Sequence, residues 1–200
     1  MSKAGSIGCE QQLCTPAFDN CQRIGWFPHG VPTHFSLHAI HGTSATDIYV
    51  VGTAAGIHHY DGVAWDTLTT PAAGWMNGVF AVAEDDVFVV GNGGYLVHFD
   101  GTDWALMMSS GASLYDVWGS SGSDVYAVGD SGTLLHYEGS SWSPVTTGET
   151  GTLSAIWGAS ATDIFVVGAG GTILHFDGGG WFSMASGTTA WLQDVWGMSA

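Results

Sequence analysis

The sequence predicts an all-β protein, and three observations support this fold class. Apolar and polar residues alternate over short runs, as in the segment 114–119 (LYDVWG). Gly, Ser, Asn and Asp end these runs, which is typical of tight turns between strands. The arrangement also recurs at a nearly constant spacing of 39, 39, 38 and 39 residues. This spacing separates Trp26, Trp65, Trp104, Trp142 and Trp181.

Three other positions keep the same period. Each repeat places an Asp at the start of one predicted strand, a Gly at the end of that strand and a His in the next strand. These positions are Asp47, Asp86, Asp124 and Asp163; Gly52, Gly91, Gly129 and Gly168; and His59, His98, His136 and His175. A fixed period of this length is typical of repeat architectures. The sequence therefore divides into an N-terminal leader, residues 1–24, and a repeat region, residues 25–200.

Each repeat divides into four short strands joined by tight turns. In the third repeat the strands are predicted over 114–119, 124–129, 133–139 and 142–147. Four antiparallel strands in about 40 residues is the length of one β-propeller blade. We therefore predict an all-β propeller of four-stranded antiparallel blades, with four full repeats and partial blade strands at both ends.

The turn before each fourth strand carries a recurring motif that reads HYDGVAW, HFDGTDW, HYEGSSW and HFDGGGW. This motif resembles the Asp-box (BNR-like) repeat of sialidases and related propellers. The longer frame is similar to the repeats of large secreted bacterial proteins and of photosystem II assembly-factor propellers. The resemblance covers residues 26–200 and implies the fold without implying one activity. The sequence departs from the Asp-box because Gly follows the acid directly and the leading Ser is missing.

The repeated acid and the repeated His are interpreted as structural. The resemblance implies that Asp-boxes lie away from a catalytic pocket. A carboxylate can accept backbone N–H bonds in a tight turn, Gly permits a positive φ, and Trp packs between blades. We expect each repeated His to be hydrogen-bonded within its blade, because copies a whole blade apart do not converge. The acids given this structural role are Asp61, Asp100, Glu138 and Asp177.

Charge excludes several classes of partner. Lys3 and Arg23 are the only basic residues, whereas the chain has 18 acids and a formal net charge of −16. Such a surface repels phosphate, so nucleic acid is excluded as a partner. The sequence has no apolar run long enough to span a membrane. Cations, neutral sugars and peptides remain as ligands.

All three cysteines, Cys9, Cys14 and Cys21, lie in the leader. Their spacing does not match a C-x-x-C zinc or redox motif. Cysteines confined to a short leader are typical of an extracellular chain with a disulfide. We therefore predict a disulfide, with one thiol free or paired with another chain. The predicted location is extracellular or in a bacterial cell envelope.

A binding site is predicted where the repeats differ. In a propeller, the second-to-third turns and the fourth-to-first loops lie on one face, at the channel mouth. Trp75, Trp191 and Phe35 lie in these loops outside the repeated Trp pattern. The first strands vary nearby, and the second-to-third turns add two polar residues. These further positions are His38, Asn77, Tyr115, Ser154 and Gln193, with Asn92 and Asp130. Aromatic side chains ringed by neutral polar groups suit a sugar or a peptide, although the loop Trp residues could instead cover the blade tops.

Catalytic and metal sites are weaker predictions of the same sequence. Asp116 and Asp194 stand at equivalent first-strand positions where other repeats have Ala or Gly. They are the candidates for catalysis or for cation binding at the channel mouth. His34 and His38 are the candidates for a divalent metal ion. No G-x-S-x-G or H-E-x-x-H motif occurs in the sequence.

The strand count predicts an open ring. The segment 25–31 matches a fourth strand, and 192–200 supplies only a first strand. We therefore expect the chain to be part of a longer polypeptide or to close as a homo-oligomer. The predicted function is a non-enzymatic, lectin-like or peptide-binding module that recognises a carbohydrate or protein ligand. The alternatives are a hydrolase or lyase acting at the channel mouth and a purely structural component of an assembly.

Overall fold

The computed structural model describes residues 36–198. Over this range the chain forms four antiparallel sheets, each made of four strands that are consecutive in sequence. This result confirms the predicted all-β propeller with four-stranded blades. We number the blades 1 to 4 along the chain, and the first strands of adjacent blades lie side by side.

The strands follow the predicted repeat closely. Blade 1 contains β1 (Leu37–Ser44), β2 (Asp47–Gly52), β3 (Ile57–Tyr60) and β4 (Trp65–Leu68). Blade 2 contains β5 (Met76–Ala83), β6 (Asp86–Gly91), β7 (Tyr95–Phe99) and β8 (Trp104–Ser109). Blade 3 contains β9 (Leu114–Ser121), β10 (Asp124–Gly129), β11 (Leu134–Tyr137) and β12 (Trp142–Pro144). Blade 4 contains β13 (Leu153–Ser160), β14 (Asp163–Gly168), β15 (Ile173–Phe176) and β16 (Trp181–Ser183).

The hydrophobic core lies between the blades. Between blades 2 and 3, Phe88 and Leu96 pack with Leu114 and Val125, and all four side chains are fully buried. Similar clusters join blade 1 to blade 2 and blade 3 to blade 4. Because the second strand is covered on both faces, its residues are apolar without alternation in burial. Each blade therefore depends on its neighbours for most of its apolar burial.

The turn between the third and fourth strands has the predicted acid chemistry in three blades. In blade 2, Oδ1 of Asp100 accepts the backbone N–H groups of Thr102 and Asp103, both at 3.0 Å. These bonds to the ionised form lower the pKa of Asp100. Asp61 and Asp177 each accept two backbone N–H groups in the same way.

The prediction is wrong for Glu138 in blade 3. Within the described residues the Glu138 carboxylate accepts no hydrogen bond, and the turn is closed by the Glu138 N–H and the Ser141 carbonyl at 3.5 Å. The extra methylene of Glu carries the carboxylate past the turn amides, so the two acids are not interchangeable here.

The repeated His is hydrogen-bonded within its own blade, as predicted. In blade 3, His136 Nε2 lies 2.7 Å from Asp124 Oδ1, and the imidazole stacks on Tyr126 at a centroid distance of 4.1 Å. The other three blades repeat this arrangement of His, Asp and aromatic ring. The repeated His and Asp thus tie the second and third strands together in every blade.

The repeated Trp packs between blades. Trp142 of blade 3 contacts Phe88 of blade 2, and Trp181 of blade 4 contacts Tyr126 of blade 3, both edge-on. The predicted packing role is therefore confirmed at these two interfaces.

The C-terminal segment 192–198 lies beside the first strand of blade 4. The Leu192 N–H donates to the Gly168 carbonyl at 3.0 Å, and Gly197 lies against the ring of Trp157. The sequence predicts a first strand in this segment. The segment is not itself a strand, because among the described residues it has no partner with which to form a ladder. The other predicted partial strand, 25–31, lies outside the described residues, as does the leader with its three cysteines.

Blade 1 has one open face. Ile40 is 67% exposed, whereas the equivalent Val79, Val117 and Ile156 are 5%, 3% and 4% exposed. The difference arises because the latter three are each covered by the preceding blade. Within residues 36–198 no helix is long and apolar enough to cross a membrane.

Candidate functional site

Two sets of loops meet at one end of the sheets, which we call the loop face. It consists of the second-to-third turns and the fourth-to-first loops. Backbone hydrogen bonds connect the two sets, for example from Asn92 N–H to the Trp75 carbonyl at 2.9 Å and from Asp130 N–H to the Ser113 carbonyl at 2.9 Å. The loop face is therefore held by main-chain bonds and presents its side chains from a fixed framework.

The variable first-strand residues form a polar row across this face. His38 Nδ1 lies 2.9 Å from the Met76 carbonyl of the next blade. Asn77 Nδ2 donates to Asn92 Oδ1 at 2.9 Å and to the Leu114 carbonyl of the next blade at 2.7 Å. Each of these side chains therefore connects adjacent blades.

Asp130 is a shared acceptor between blades 3 and 4. Its Oδ1 accepts the Tyr115 hydroxyl at 3.1 Å and the Thr152 hydroxyl at 3.2 Å. Burial and the bond to Asp130 raise the pKa of the Tyr115 hydroxyl, so it remains a neutral donor at physiological pH. Sequence comparison did not identify Thr152, because Thr is frequent in the fourth-to-first loops and nothing in the repeat distinguishes this one.

A cavity of about 340 Å³ lies among these residues. Trp191 covers one side of it, is 57% exposed, and donates its indole N–H to the Ser154 hydroxyl. The cavity size is within the range of small-ligand and side-chain pockets. The lining residues are Asn77, Tyr115, Ser154, Trp191 and Gln193. We call this cavity the Trp191 pocket.

Trp75 lies elsewhere on the loop face. It is 53% exposed and packs edge-on against the imidazole of His38 at a centroid distance of 5.8 Å. It does not line the Trp191 pocket. The structure thus separates the two Trp residues that the sequence grouped together. Phe35 lies outside the described residues.

Asp116 is held between two inner strands. Its Oδ1 accepts the Val117 N–H and its Oδ2 accepts the Ile156 N–H of blade 4, both at 2.9 Å. Burial raises the pKa of Asp116 to about 7, the two backbone N–H groups oppose this shift, and the charge of Asp194 adds to it. Both oxygens of Asp116 are therefore engaged by backbone.

Asp194 repeats half of this arrangement. Its Oδ1 accepts the Val195 N–H at 2.8 Å, and the side chain is exposed. Catalysis by Asp116 and Asp194 stays a prediction. Unchanged turnover of a substrate in an Asp116→Asn, Asp194→Asn double variant would contradict it.

The metal prediction rests on one described residue. His38 uses Nδ1 for the Met76 carbonyl, and His34 lies outside the described residues. Within residues 36–198 no group of three or more His, Cys, Asp or Glu side chains is arranged to hold a metal ion.

No protein-family model matches the chain, and no curated protein matches it. Solved structures do match. A structure of YCF48 bound to D1 peptide aligns with a TM-score of 0.62 and 15% sequence identity, covering 82% of this chain. A structure of YCF48 from Cyanidioschyzon merolae aligns with a TM-score of 0.58 and 12% identity, covering 86% of this chain.

The match extends over only part of those proteins. The chain spans 58% of the length of the first YCF48 structure and 65% of the second. At 15% and 12% identity the similarity establishes the fold alone. The described part of the chain thus forms four β-propeller blades with the fold of these YCF48 structures.

Proposed function

We propose that this protein is a non-enzymatic binding propeller that holds an extended peptide segment of a partner protein against the loop face. The observation that supports the proposal is the Trp191 pocket. It combines an exposed indole with the hydroxyl and amide groups of Tyr115, Asn77 and Gln193. The oxygen atoms of these side chains can accept peptide N–H groups and the Gln193 amide can donate to a peptide C=O group, while the indole packs on a partner side chain.

The charge of the loop face limits the charge of the peptide it can bind. The described residues include no Lys or Arg, so the loop face holds no fixed positive charge. Asp130 and Asp194 are close to the pocket in the fold, since Tyr115 bonds to Asp130 and Gln193 precedes Asp194. We therefore propose a peptide that is neutral or carries Lys or Arg, because an acidic peptide would be repelled.

The structural comparison supports peptide binding as the mode. One of the matching YCF48 structures holds a D1 peptide. The peptide in that structure is a ligand of YCF48. Because the fold is shared, we favour a peptide over a carbohydrate as the ligand of this chain. A carbohydrate remains the second ligand to test, since exposed Trp rings also bind sugars.

Trp191→Ala is expected to weaken peptide binding by at least tenfold, about the loss produced by truncating a central aromatic anchor. The measurement is binding of the purified protein to an immobilised library of random octapeptides, followed by titration of the selected peptides. The matched control is Phe182→Ala, which removes a ring that is 54% exposed on the outer strand β16.

The same two variants are tested on a glycan array. Glycan binding that depends on Trp191, without peptide binding, would replace the peptide by a carbohydrate. Peptide titrations that are equal for the wild type and Trp191→Ala would contradict the Trp191 pocket as the site.

An extracellular or envelope location is part of the same proposal. It is supported by the three cysteines of the leader, Cys9, Cys14 and Cys21. Intact mass before and after alkylation, without reductant, tests the disulfide. Three alkylated cysteines in the native protein would count against an oxidising location.

A further inference from the structure

A second cavity lies between blades 1 and 2, at the opposite end from the loop face. Its volume is about 870 Å³. Thr67 and Thr69 line it from blade 1, and Glu84, Asp85 and Trp104 line it from blade 2. We call this cavity the interblade cleft. It is separate from the Trp191 pocket, with which it shares no lining residue.

The cleft occurs at the interface where an aromatic contact is missing. Between blades 2 and 3 the ring of Trp142 lies 6.2 Å from that of Phe88, and between blades 3 and 4 Trp181 lies 6.0 Å from Tyr126. The equivalent pair between blades 1 and 2 is Tyr49 and Trp104. In the described part of the chain these two rings make no such ring contact. Trp104 packs against the core cluster of blades 1 and 2 and also lines the cleft, as does Tyr49.

The turn beside the cleft also breaks the repeat. The first-to-second turn of blades 1, 3 and 4 contains small residues, and a Ser hydroxyl in it accepts the backbone N–H two residues later. Blade 2 has Ala83 in place of that Ser, followed by Glu84 and Asp85. This turn is instead held by a residue of blade 1, because the Tyr49 hydroxyl donates to the Glu84 carbonyl at 3.1 Å.

The two carboxylates of this turn are not used by the fold. Among the described residues neither the Glu84 nor the Asp85 side chain makes a hydrogen bond or an ion pair, and both are exposed. Asp85 Cβ rests against Gly101, which has a φ of 86°. Packing at Cβ therefore fixes the base of the Asp85 side chain.

The electric field in the cleft is negative. The pKa of the Tyr49 hydroxyl is raised to about 12 by burial and by the charges of Asp47, Glu84 and Asp85. No Lys or Arg of residues 36–198 offsets these charges. A positive group in the cleft would gain from both carboxylates, and from the face of Trp104 if it lies over the ring.

We propose that the interblade cleft binds an organic cation, a guanidinium or an alkylammonium group, between the Glu84 and Asp85 carboxylates and the Trp104 indole. The cation is either a free small molecule or the Arg or Lys side chain of a partner. This site is independent of the peptide site on the loop face.

The test is a titration of the whole protein with three probes. The readout is the chemical shift of the Trp104 indole N–H resonance in a ¹H–¹⁵N spectrum. The probes are N-acetyl-arginine amide, choline and the neutral N-acetyl-citrulline amide. We expect both cations to shift the Trp104 resonance with saturation and the citrulline derivative to leave it unchanged. Saturation by choline as well as arginine indicates a site open to free cations, whereas saturation by arginine alone indicates a peptide-borne side chain.

The Glu84→Gln, Asp85→Asn double variant is expected to weaken cation binding by about tenfold or more, since both charge contacts to the cation are lost. Glu138→Gln, Glu149→Gln is the control, because it removes the same net charge from blade 3 and the loop after it. Glu84→Lys places a cation of the chain at the cleft and is expected to abolish binding. Thermal unfolding by circular dichroism verifies that each variant is folded.

Three results would overturn the proposal. They are equal shifts with arginine and citrulline probes, binding that survives Glu84→Lys in a folded variant, and equal losses in the double variant and its control. The last result would mean that net charge alone attracts the probe. None of these results depends on whether a peptide binds at Trp191.

Discussion

Gly132→Ala is expected to destabilise the protein by about 3 kcal/mol or more, whereas Gly148→Ala is expected to cost only about 1 kcal/mol. Both glycines have left-handed backbone, with φ values of 70° and 83°. They differ in what an added Cβ would meet. At Gly132 it would lie 2.0 Å from the Glu149 carbonyl oxygen, whereas at Gly148 nothing lies within 4 Å.

The clash at Gly132 is with backbone, so it cannot be relieved by a rotamer change. The second-to-third turn would have to move away from the fourth-to-first loop, and the main-chain bonds of the loop face would be strained. The measurement is the free energy of unfolding from urea titration, compared among the wild type and the two variants. If both substitutions cost the same, left-handed strain alone accounts for the effect, and the close approach of the two loops has no energetic weight.

Asp116→Asn is expected to remove a large part of the pH dependence of stability between about pH 4 and pH 7. The pKa of Asp116 is raised from 3.8 to about 7 in the folded protein. In this window the folded state holds a proton that the unfolded state has released. Stability from this group is therefore greatest at low pH and falls as pH rises, by up to about 1.4 kcal/mol per pH unit.

The measurement is the unfolding midpoint at half-unit steps from pH 4 to pH 8, for the wild type and for Asp116→Asn. The difference between the two curves isolates the contribution of Asp116 from that of every other titratable group, because the two proteins differ at this residue alone. Asp194→Asn is the second variant. It removes a charge that raises the Asp116 pKa in the folded protein, so the fall in stability should end at a lower pH. Parallel curves for the wild type and Asp116→Asn would contradict the buried, proton-binding carboxyl.

The repeat could be predicted from the sequence because its structural residues must recur. A His that bonds to an Asp, as His136 does to Asp124, requires both residues in every blade, so their period is visible. The same comparison predicted the loop face as the binding site, because residues outside the repeat pattern, such as Trp191, lie in its loops. It also gave the correct interblade role for Trp142 and Trp181.

The features that could not be predicted from the sequence depend on distances between side-chain atoms. Glu138 preserves the charge of its position, but one methylene decides whether the carboxylate reaches the turn amides. The two loop Trp residues look alike in sequence, yet Trp75 does not line the Trp191 pocket. The cleft between blades 1 and 2 follows from the separation of Tyr49 and Trp104, and both residues obey the repeat. Residue type alone does not determine such differences of position.

The open face of blade 1 affects the order in which the blades unfold. Because the core lies between blades, the chain behaves as a row of units in which each gains stability from its neighbours on either side. Blades 2 and 3 have a described neighbour on both sides, whereas Ile40 and the rest of the exposed face of blade 1 have none on one side. Amide hydrogens in blade 1 should therefore exchange with solvent by local opening, well before those of the two central blades.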